Sequence, residues 1–243
     1  MKILVCISHV PDTTSKINFT DQGKRFDNQG VQFIIGPYDD YALARAVELK
    51  EALQAQVTVL CVGGPETEPT LRKALAIGAD DAIRVNLEAD GPLAIARQIA
   101  AQASGYDLIL MGRESIDHNN GVVHALVGEL LGIPSVSPVM KLEISGTTAT
   151  MVCESEGGKQ TVRCGLPLVA GCQEPIAEWK IPNMRGIMAA RTRPLRVADP
   201  VASAPDVELV SFGLPPAKGA VVLIPAGEEK ELVNRLRSEA KVI

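Results

Sequence analysis

The stretch DLILMGRESIDHNNGVVHALVGELLG, residues 107–132, contains an apolar run, a polar turn and a segment with helical spacing, in that order. The run DLILMG is apolar after its first residue and is predicted to form a strand buried on both faces. A turn rich in Asn, Asp and Gly follows, and VVHALVGELLG then places apolar residues at helical spacing. The stretch therefore predicts a β-strand that turns directly into an α-helix.

The same pattern occurs three more times in the first half of the chain. The other predicted strands are KILVCIS (2–8), QVTVLCV (56–62) and AIRVN (82–86), and the other predicted helices are YALARAVELKEAL (41–53), ETEPTLRKALAIGA (66–79) and PLAIARQIAAQA (92–103). Strands that are apolar throughout need helices on both faces, which predicts an α/β fold with a doubly wound, mostly parallel sheet. Ligands of such sheets bind beyond the carboxyl ends of the strands. We therefore expect residues 8–13, 63–65 and 112–123 to face one crevice.

The pattern changes after Val136. Short alternating runs up to Cys172, broken by Ser-Gly and Gly-Gly, predict a β-hairpin or small meander and then a buried strand. A loop and short helix with several basic residues are expected at 174–195. Residues 197–243 are rich in Pro, Ala, Gly and Ser up to a final amphipathic segment at 227–240, and we expect them to form an arm on a partner. The predicted domains are thus 1–196 and 197–243.

Composition excludes several classes of protein. The chain has 243 residues, 46% of them hydrophobic, and a formal net charge of −5. It can bury a full core, and its charge gives no general attraction to nucleic acid or to anionic membranes. The sequence has no apolar stretch of roughly 18 residues and no signal-peptide pattern, so we expect a cytoplasmic protein without direct membrane insertion. Five irregularly spaced cysteines predict free thiols rather than disulfides or a zinc site.

Three hypotheses account for the polar turn at 112–123. A metal or hydrolytic site is disfavoured, because His118 and His124 do not share a helix face and the sequence lacks a GxSxG nucleophile motif. A phosphate site would use main-chain N–H groups and the positive end of the following helix, with Asn119, Asn120 and Gly121 adopting unusual dihedral angles. Alternatively, Asp117 or Asn119 simply caps the helix. The last two hypotheses are equally consistent with the turn alone.

Other features have two interpretations each. Asp12, Asp39 and Asp40 could transfer protons, but acidic residues at a helix start are more often caps. Trp179 and Met184 could belong to a core or to a docking surface, and their basic neighbours favour docking. The chain lacks both the dinucleotide fingerprint GxGxxG and a Walker loop, so NAD-dependent and ATPase functions have no support.

Taken together, six segments resemble the β subunit of electron transfer flavoprotein. They are HVPDTTSKI (9–17), GPYDDYALARAVELKE (36–51), TLRKALAIGADDAIRV (70–85), LILMGRESIDHNN (108–120), CESEGGKQTVRCGLPLVAG (153–171), and QEP (173–175) with IPNMRGIMAARTRPL (181–195). They occur in the family's order over most of residues 1–195, and this ordered set is more specific than any single motif.

The resemblance implies a Rossmann-like, adenine nucleotide hydrolase-like fold and an electron carrier rather than an enzyme. It implies a heterodimer with an α subunit that holds most of the FAD, and a C-terminal arm that embraces that subunit. Electrons would pass from acyl-CoA dehydrogenases through FAD toward a quinone oxidoreductase. Without the resemblance, a stand-alone adenine-nucleotide sensor is the alternative function, and its tail would pack on its own domain.

The resemblance also implies which residues line the β subunit's own nucleotide site. These are Cys6, Gly36, Pro37, Tyr38, Asp39, Gly63, Gly112, Arg113, Glu114, Ser115, Ile116, Asp117, His118, Asn119, Asn120, Gly121, Val122 and Val123. In a recognition loop at 174–195, the residues expected to contact the dehydrogenase are Met184, Arg185, Ile187, Met188 and Arg191.

Two departures from the family pattern concern the identity of the nucleotide and of the partner. Val123 and His124 occupy positions where the AMP-binding form carries Thr and Gly. The electron-bifurcating form, which holds a second FAD, resembles this chain in VPDT near the start and in Val123 but differs at the flanking residues. AMP and a second FAD therefore both stay open for this site. Cys153 stands where the signature region usually carries a basic residue, which leaves the partner open too.

Overall fold

The structure, a computed structural model, describes residues 1–88, 91–202 and 207–243. The described strands are β1 (Lys2–Cys6), β2 (His9–Pro11), β3 (Phe19–Thr20), β4 (Arg25–Phe26), β5 (Phe33–Ile35), β6 (Gln56–Val62), β7 (Asp81–Val85), β8 (Leu108–Gly112), β9 (Ser135–Ser145), β10 (Thr148–Ser155), β11 (Gly158–Gly165), β12 (Leu168–Cys172) and β13 (Leu195–Ala198). The described α-helices are α1 (Pro37–Leu53), α2 (Glu68–Ile77), α3 (Pro92–Gln102), α4 (Val123–Leu131), α5 (Met184–Ala190) and α6 (Glu229–Ser238).

The main sheet has nine strands in the order β11-β10-β9-β12-β8-β1-β6-β7-β13. Seven neighbouring strands of this sheet are parallel to one another, in the spatial order β9-β12-β8-β1-β6-β7-β13. Strand β10 pairs antiparallel with both β9 and β11. From β1 the chain adds β6 and β7 on one side and then returns to place β8 on the other side. This reversal beside β1 is the topological switch point at which doubly wound sheets bind ligands. The predicted fold class is confirmed.

Helices cover both faces of the sheet because successive strand residues point to opposite faces. Along β1, Ile3 and Val5 belong to one apolar cluster, which also includes residues of α1 and α2. Leu4 and Cys6 belong to a second cluster, with residues of α3 and α4. The apolar strands thus separate two cores, as their sequences predict.

Proline and glycine mark the helix ends. Pro37 and Pro92 are the first residues of α1 and α3, where the missing N–H costs nothing. Gly132 ends α4 with a φ of 65°, a left-handed conformation that a side chain would oppose. The prolines therefore mark the starts of α1 and α3 at the carboxyl edge of the sheet, where the strand-to-helix turns meet, and Gly132 marks the opposite end of α4.

The meander after residue 136 is also confirmed: β9, β10 and β11 form consecutive antiparallel pairs, and β12 is buried along its whole length. The small pairs β2–β5 and β3–β4 within residues 9–35 have no counterpart in the prediction. The final helix α6 lies within the predicted amphipathic segment. Strand β13 spans the predicted domain boundary after residue 196. Its first two residues belong to the predicted first domain and its last two to the second, and all four pair with β7 of the main sheet.

The five cysteines are free thiols, as predicted, and four of them are buried. Within the described residues, no helix is both long enough and apolar enough to cross a membrane. The same residues contain no group of three or more His, Cys, Asp or Glu side chains arranged to hold a metal ion.

Candidate functional site

A cavity of about 390 Å³ opens at the carboxyl edge of the sheet, beside the topological switch point. Its walls come from the ends of β1, β6 and β8, from the turn after β8, and from the first turns of α3 and α4. Small-molecule sites have volumes of roughly 300–1,000 Å³. The cavity is therefore large enough for a ligand and lies where this fold places one.

Asp39 joins two strand ends at the wall of this cavity. One carboxylate oxygen accepts hydrogen bonds from the N–H and hydroxyl of Ser8, which follows β1, and the other accepts from the N–H of Gly112 at 2.7 Å. Burial raises the pKa of Asp39 to about 6, although the same three hydrogen bonds favour the charged form. The prediction that Asp39 caps its own helix is wrong, because its partners are Ser8, just after β1, and Gly112, the last residue of β8.

Two glycines make room for this carboxylate. A Cβ atom at Gly36 would collide with the hydroxyl of Ser8 and the carboxylate of Asp39. A Cβ atom at Gly112 would lie 2.7 Å from both the Asp39 carboxylate and the Tyr38 Cβ atom. The two residues must be glycine because the buried carboxylate packs directly against their backbone.

The turn at 113–122 has the dihedral angles expected of an anion-binding turn. Asn119 and Gly121 have φ values of 48° and 61°, as predicted, whereas Asn120 is not in the left-handed region. Among the described residues, no group accepts a hydrogen bond from the main-chain N–H of Asn120 or Gly121. These N–H groups and the N-terminus of α4 are therefore available to a negatively charged ligand.

The capping hypothesis for this turn is wrong. The residue before α4 is Val122, and no side chain caps the helix. Asp117 accepts instead from the N–H of His118 within the turn, at 2.9 Å. The hydrolytic hypothesis also finds no support in the part of the chain that the structure describes, because Ser115 has no hydrogen bond to a base.

Arg113 holds the turn against the rest of the domain. Its guanidinium donates to Glu114 at 2.8 Å and to the side chains of Tyr38 and Gln173, each at 3.2 Å. The guanidinium carbon also lies 4.8 Å from the centre of the Tyr38 ring. Since Glu114 pairs with its charge, Arg113 positions the turn more than it attracts an anion.

The Cys6 thiol is a poor nucleophile and the His9 imidazole a poor base, because burial at the cavity disfavours the charged form of each. Burial, and then the nearby Asp39 carboxylate, raise the pKa of the Cys6 and Cys172 thiols far above the usual range. Burial also lowers the pKa of His9, whose Nδ1 lies 2.8 Å from the hydroxyl of the buried Thr70. The site thus offers uncharged rings, thiols and main-chain donors, which suit binding rather than bond-breaking chemistry.

The structure brings most of the predicted site residues together at the cavity. Those that line it are Cys6, Asp39, Gly63, Gly112, Arg113, Glu114, Ser115, Asp117, His118, Asn120 and Val123. Those outside its lining are Gly36, Pro37, Tyr38, Ile116, Asn119, Gly121 and Val122. Residues 36–38 lie next to Asp39 and Arg113, where Gly36 packs against the Asp39 carboxylate and Tyr38 accepts a hydrogen bond from Arg113. The other four residues belong to the turn after β8.

The prediction missed one wall of the cavity, formed by residues 87–88 and 91–99, which follow β7. Leu87, Gly91, Pro92 and Ile95 line it, together with His9, Glu66 and Thr67 from neighbouring turns. A signal for this wall was present, since AIRVN is a strand whose carboxyl end meets the same edge of the sheet as the other three.

The second predicted surface lies around α5. The side chains of Trp179, Ile181, Met184 and Met188 are 59%, 75%, 73% and 65% exposed, and Ile187 is 39% exposed. Arg185 and Arg191 are exposed beside them. We call these seven residues the docking patch. Exposed apolar side chains at this density, flanked by cations, are typical of a protein-binding surface.

Two arginines fix α5 to α2 by capping each other's helices. Arg72 of α2 donates to the carbonyl groups of Ala190 and Arg193, at the end of α5, both at 2.8 Å. Arg193 donates in turn to the carbonyl groups of Leu75 and Ala79 at the end of α2. Gly186 faces the carbonyl oxygen of Ala76, and even a Cβ atom would collide with that oxygen. The docking patch therefore stands on a rigid base.

Comparison with known proteins gives consistent matches. A family model described as "Electron transfer flavoprotein domain" matches residues 24–203. The chain is 37% identical to the electron transfer flavoprotein subunit beta of Bacillus subtilis over the full length of both chains. It is 36% identical to that of Syntrophomonas wolfei, over 92% of this chain and 90% of the relative. It is also 30% identical to the acryloyl-CoA reductase electron transfer subunit gamma of Anaerotignum propionicum, over 97% and 96% of the two chains.

Proposed function

The chain belongs to the electron transfer flavoprotein family, among its β subunits, and from this premise we propose that it pairs with an α subunit to carry electrons in the cytoplasm. Electrons would come from acyl-CoA dehydrogenases, and the complex would deliver them to a quinone oxidoreductase. The observation that carries the proposal is the cavity at the switch point, walled by the turn after β8, which lies in one of the six segments that resemble the family.

The redox chemistry would belong to FAD, which the two subunits share and which can accept and release electrons when it is bound. The role of this chain is to bind and position. Its thiols are buried and held protonated by their surroundings, so they are poorly suited to exchange electrons or protons with a flavin. This fits a carrier subunit without substrate chemistry of its own.

We propose that the cavity of this chain holds AMP. Its volume of about 390 Å³ is near the lower end of the range for small-molecule sites, which suits a mononucleotide better than the much larger FAD. The N–H group of Asn120, which lines the cavity, and that of the neighbouring Gly121 would donate hydrogen bonds to the phosphate, and the positive N-terminus of α4 would stabilise its charge. The carboxylates of Asp39 and Glu114 in the cavity wall already accept hydrogen bonds, from the N–H of Gly112 and from the guanidinium of Arg113. They therefore do not require a positively charged group on the ligand.

A second FAD in the cavity, with electron bifurcation, is the alternative. Val123 favours it, because this residue lines the cavity and offers no hydroxyl to a phosphate. The similarity to an electron transfer subunit of an acryloyl-CoA reductase shows that relatives of this chain also serve reductases. In either case, the docking patch is the proposed contact with the donor or acceptor enzyme.

The test is to co-express the chain with its α subunit, purify the complex and record its visible spectrum. We expect flavin absorption, and acid extraction followed by chromatography should release FAD and AMP in equal amounts. Two FAD per complex would support the alternative. The isolated chain is the control and should lack the shared FAD. A complex without flavin absorption would overturn the proposed electron carrier.

A further inference from the structure

The first part of the C-terminal segment lies on the chain's own nucleotide-binding domain. After β13, the main chain of Val201 forms two hydrogen bonds with the side-chain amide of Gln98 on α3, at 2.8 and 2.9 Å. Gln98 is almost fully buried, with 1% of its surface exposed. A buried amide that is satisfied by one main-chain residue fixes that residue in position.

The same segment next contacts the rim of the cavity. The side chain of Val207 lies so close to Gly91 that a Cβ atom there would collide with it. Gly91 lines the cavity, at the N-terminus of α3. A side chain at this rim position would push the segment away, so the glycine allows the close approach.

Five residues later, the segment is held on another part of the domain. The N–H of Phe212 donates to the carbonyl oxygen of Gly23 at 2.7 Å. Its ring stacks on Phe19 of β3, with ring centres 4.9 Å apart and planes 3° from parallel. Phe19 and Gly23 belong to the β3–β4 hairpin, which follows the end of β1.

Aromatic rings connect this anchor to a second residue of the cavity lining, His9. Phe19 pairs with Phe26 across the hairpin, and the ring of Phe26 meets that of Phe33 edge to face at 6.4 Å. The ring of Phe33 stacks on His9 at 4.4 Å, and His9 lines the cavity. All four phenylalanines of the protein are in this series, in a chain whose aromatic content is only 3%.

We propose that residues 207–212 form a strap that links two parts of the cavity lining and slows the exit of the bound nucleotide, with Phe212 as its positioning residue. The proposal rests on the nucleotide site proposed above. The observation that supports it is that one short segment contacts the lining residue Gly91 directly and the lining residue His9 through the phenylalanine series. Residues beyond Phe212 are largely exposed, so the strap would also mark the point from which the tail is free to reach a partner.

The test compares AMP release from the heterodimeric complex of the wild type and of three variants. The complex is loaded with radiolabelled AMP and diluted into excess unlabelled AMP. Phe212→Ala should release AMP about three- to tenfold faster, because a stacked aromatic pair contributes about 0.5–1.5 kcal/mol. Phe212→Tyr keeps the stacked ring and should release AMP at the wild-type rate. Leu53→Ala, a change at a 41% exposed position at the end of α1 and outside the cavity lining, is the control and should also match the wild type.

A second readout does not depend on the release rate. In the wild-type complex, AMP should slow hydrogen exchange of residues 207–212, and Phe212→Ala should abolish that protection. Equal release rates for Phe212→Ala and the wild type would overturn the strap while leaving the nucleotide site intact. A wild-type complex that retains no AMP would overturn the AMP site, and the strap's role with it.

Discussion

Asp39 both lines the cavity and holds together the ends of two central strands of the sheet. Its carboxylate accepts donors from the ends of β1 and β8, and it is only 5% exposed. Removing these acceptors would leave buried N–H groups without partners, which costs about 1–3 kcal/mol for each group. The shape of the cavity therefore depends on a side chain whose charge is itself sensitive to pH.

We expect the wild type to lose stability relative to Asp39→Asn as the pH rises from about 4 to 7. Burial raises the pKa of Asp39 from 3.8 to about 6, so the folded chain keeps a proton that the unfolded chain releases in this interval. The stabilisation by that proton is complete below about pH 4 and is lost as the pH rises through 6. The difference between the two pKa values corresponds to about 3 kcal/mol.

Urea unfolding of both proteins at several pH values would measure this effect. The loss of hydrogen bonds in Asp39→Asn lowers its stability at every pH and does not alter the slope. Exposed Glu143, whose pKa is lowered by Lys141, provides the control: Glu143→Gln should not remove the wild-type slope between pH 4 and 7. Parallel stability curves for the wild type and Asp39→Asn would contradict the prediction.

Met184 is the most exposed large apolar residue of α5, at 73%, and should act as an anchor in the docking patch. We expect Met184→Ala to raise the KM for the donor dehydrogenase about five- to thirtyfold, since loss of such an anchor costs about 1–2 kcal/mol. The AMP content of the complex should not change, because Met184 is not part of the cavity lining. Steady-state electron transfer with varied dehydrogenase measures the KM. Leu130→Ala, at an exposed position on α4, is the control, and an unchanged KM in Met184→Ala would count against the docking patch.

At the level of elements, the pairing of α2 with α5 decides how the docking patch is presented. The two helices touch through Gly186 and are held at their ends by Arg72 and Arg193. Hydrogen bonds from a charged guanidinium to carbonyl groups contribute about 1.5–3 kcal/mol. The short helix α5, with seven residues, is too short to be stable alone and relies on these contacts.

Gly186→Ala should therefore displace α5 and lower the free energy of unfolding by about 1–3 kcal/mol, the usual cost of overpacking. The added methyl group would meet the carbonyl oxygen of Ala76, which belongs to the backbone of α2 and cannot turn aside. Denaturant unfolding and the KM for the dehydrogenase would both report the change. Gly158→Ala is the matched control, because no heavy atom lies within 4 Å of its added Cβ. Equal effects of the two substitutions would show that α5 tolerates the shift.

The elements were predictable where hydrophobic periodicity was strong. The strand QVTVLCV has the predicted bounds, and the meander after residue 136 follows its Gly-containing turns. The pairs β2–β5 and β3–β4 were not predictable, because strands of two or three residues carry too little periodicity to be recognised. Strand β13 was missed for the same reason: it has four residues and lies beside a proline.

The cavity was predictable from topology, and its internal contacts were not. Strand ends of a parallel sheet meet at one edge, which placed residues 112–123 correctly at the cavity. The role of Asp39 depends on neighbours 31 and 73 positions away in the sequence. A single sequence contains no signal of such a contact, so local position made Asp39 look like a helix cap.

At the level of the whole molecule, the tail has two parts with different surroundings. Up to Phe212 it contacts its own domain, whereas residues 213–223 are exposed throughout. Apolar side chains there, such as Val221 and Leu223 at 81% and 88% exposure, have nothing to cover them in the isolated chain. This contrast supports an arm that begins after the strap and packs on the α subunit.

Trypsin should cut the isolated chain after Lys218, which is exposed and lies in an extended segment. In the complex with the α subunit, the same bond should resist cleavage. Mass spectrometry of a time course would identify the fragments and their rates of formation. A site on the sheet edge that both forms expose, such as Lys159 on β11, serves as an internal control. Equal cleavage after Lys218 in the isolated chain and in the complex would argue against the arm and favour a stand-alone nucleotide-binding protein.

The hydrogen bonds by which Arg72 caps the end of α5 and Arg193 caps the end of α2 affect how the docking patch can evolve. Because each helix end is held by the other helix, the place of α5 does not depend on the length of the segment that leads to it, residues 173–183. Insertions and substitutions in that segment would alter which side chains surround Met184 without moving its helix. A lineage could therefore exchange one enzyme partner for another through this segment alone, while the nucleotide cavity behind it stays the same.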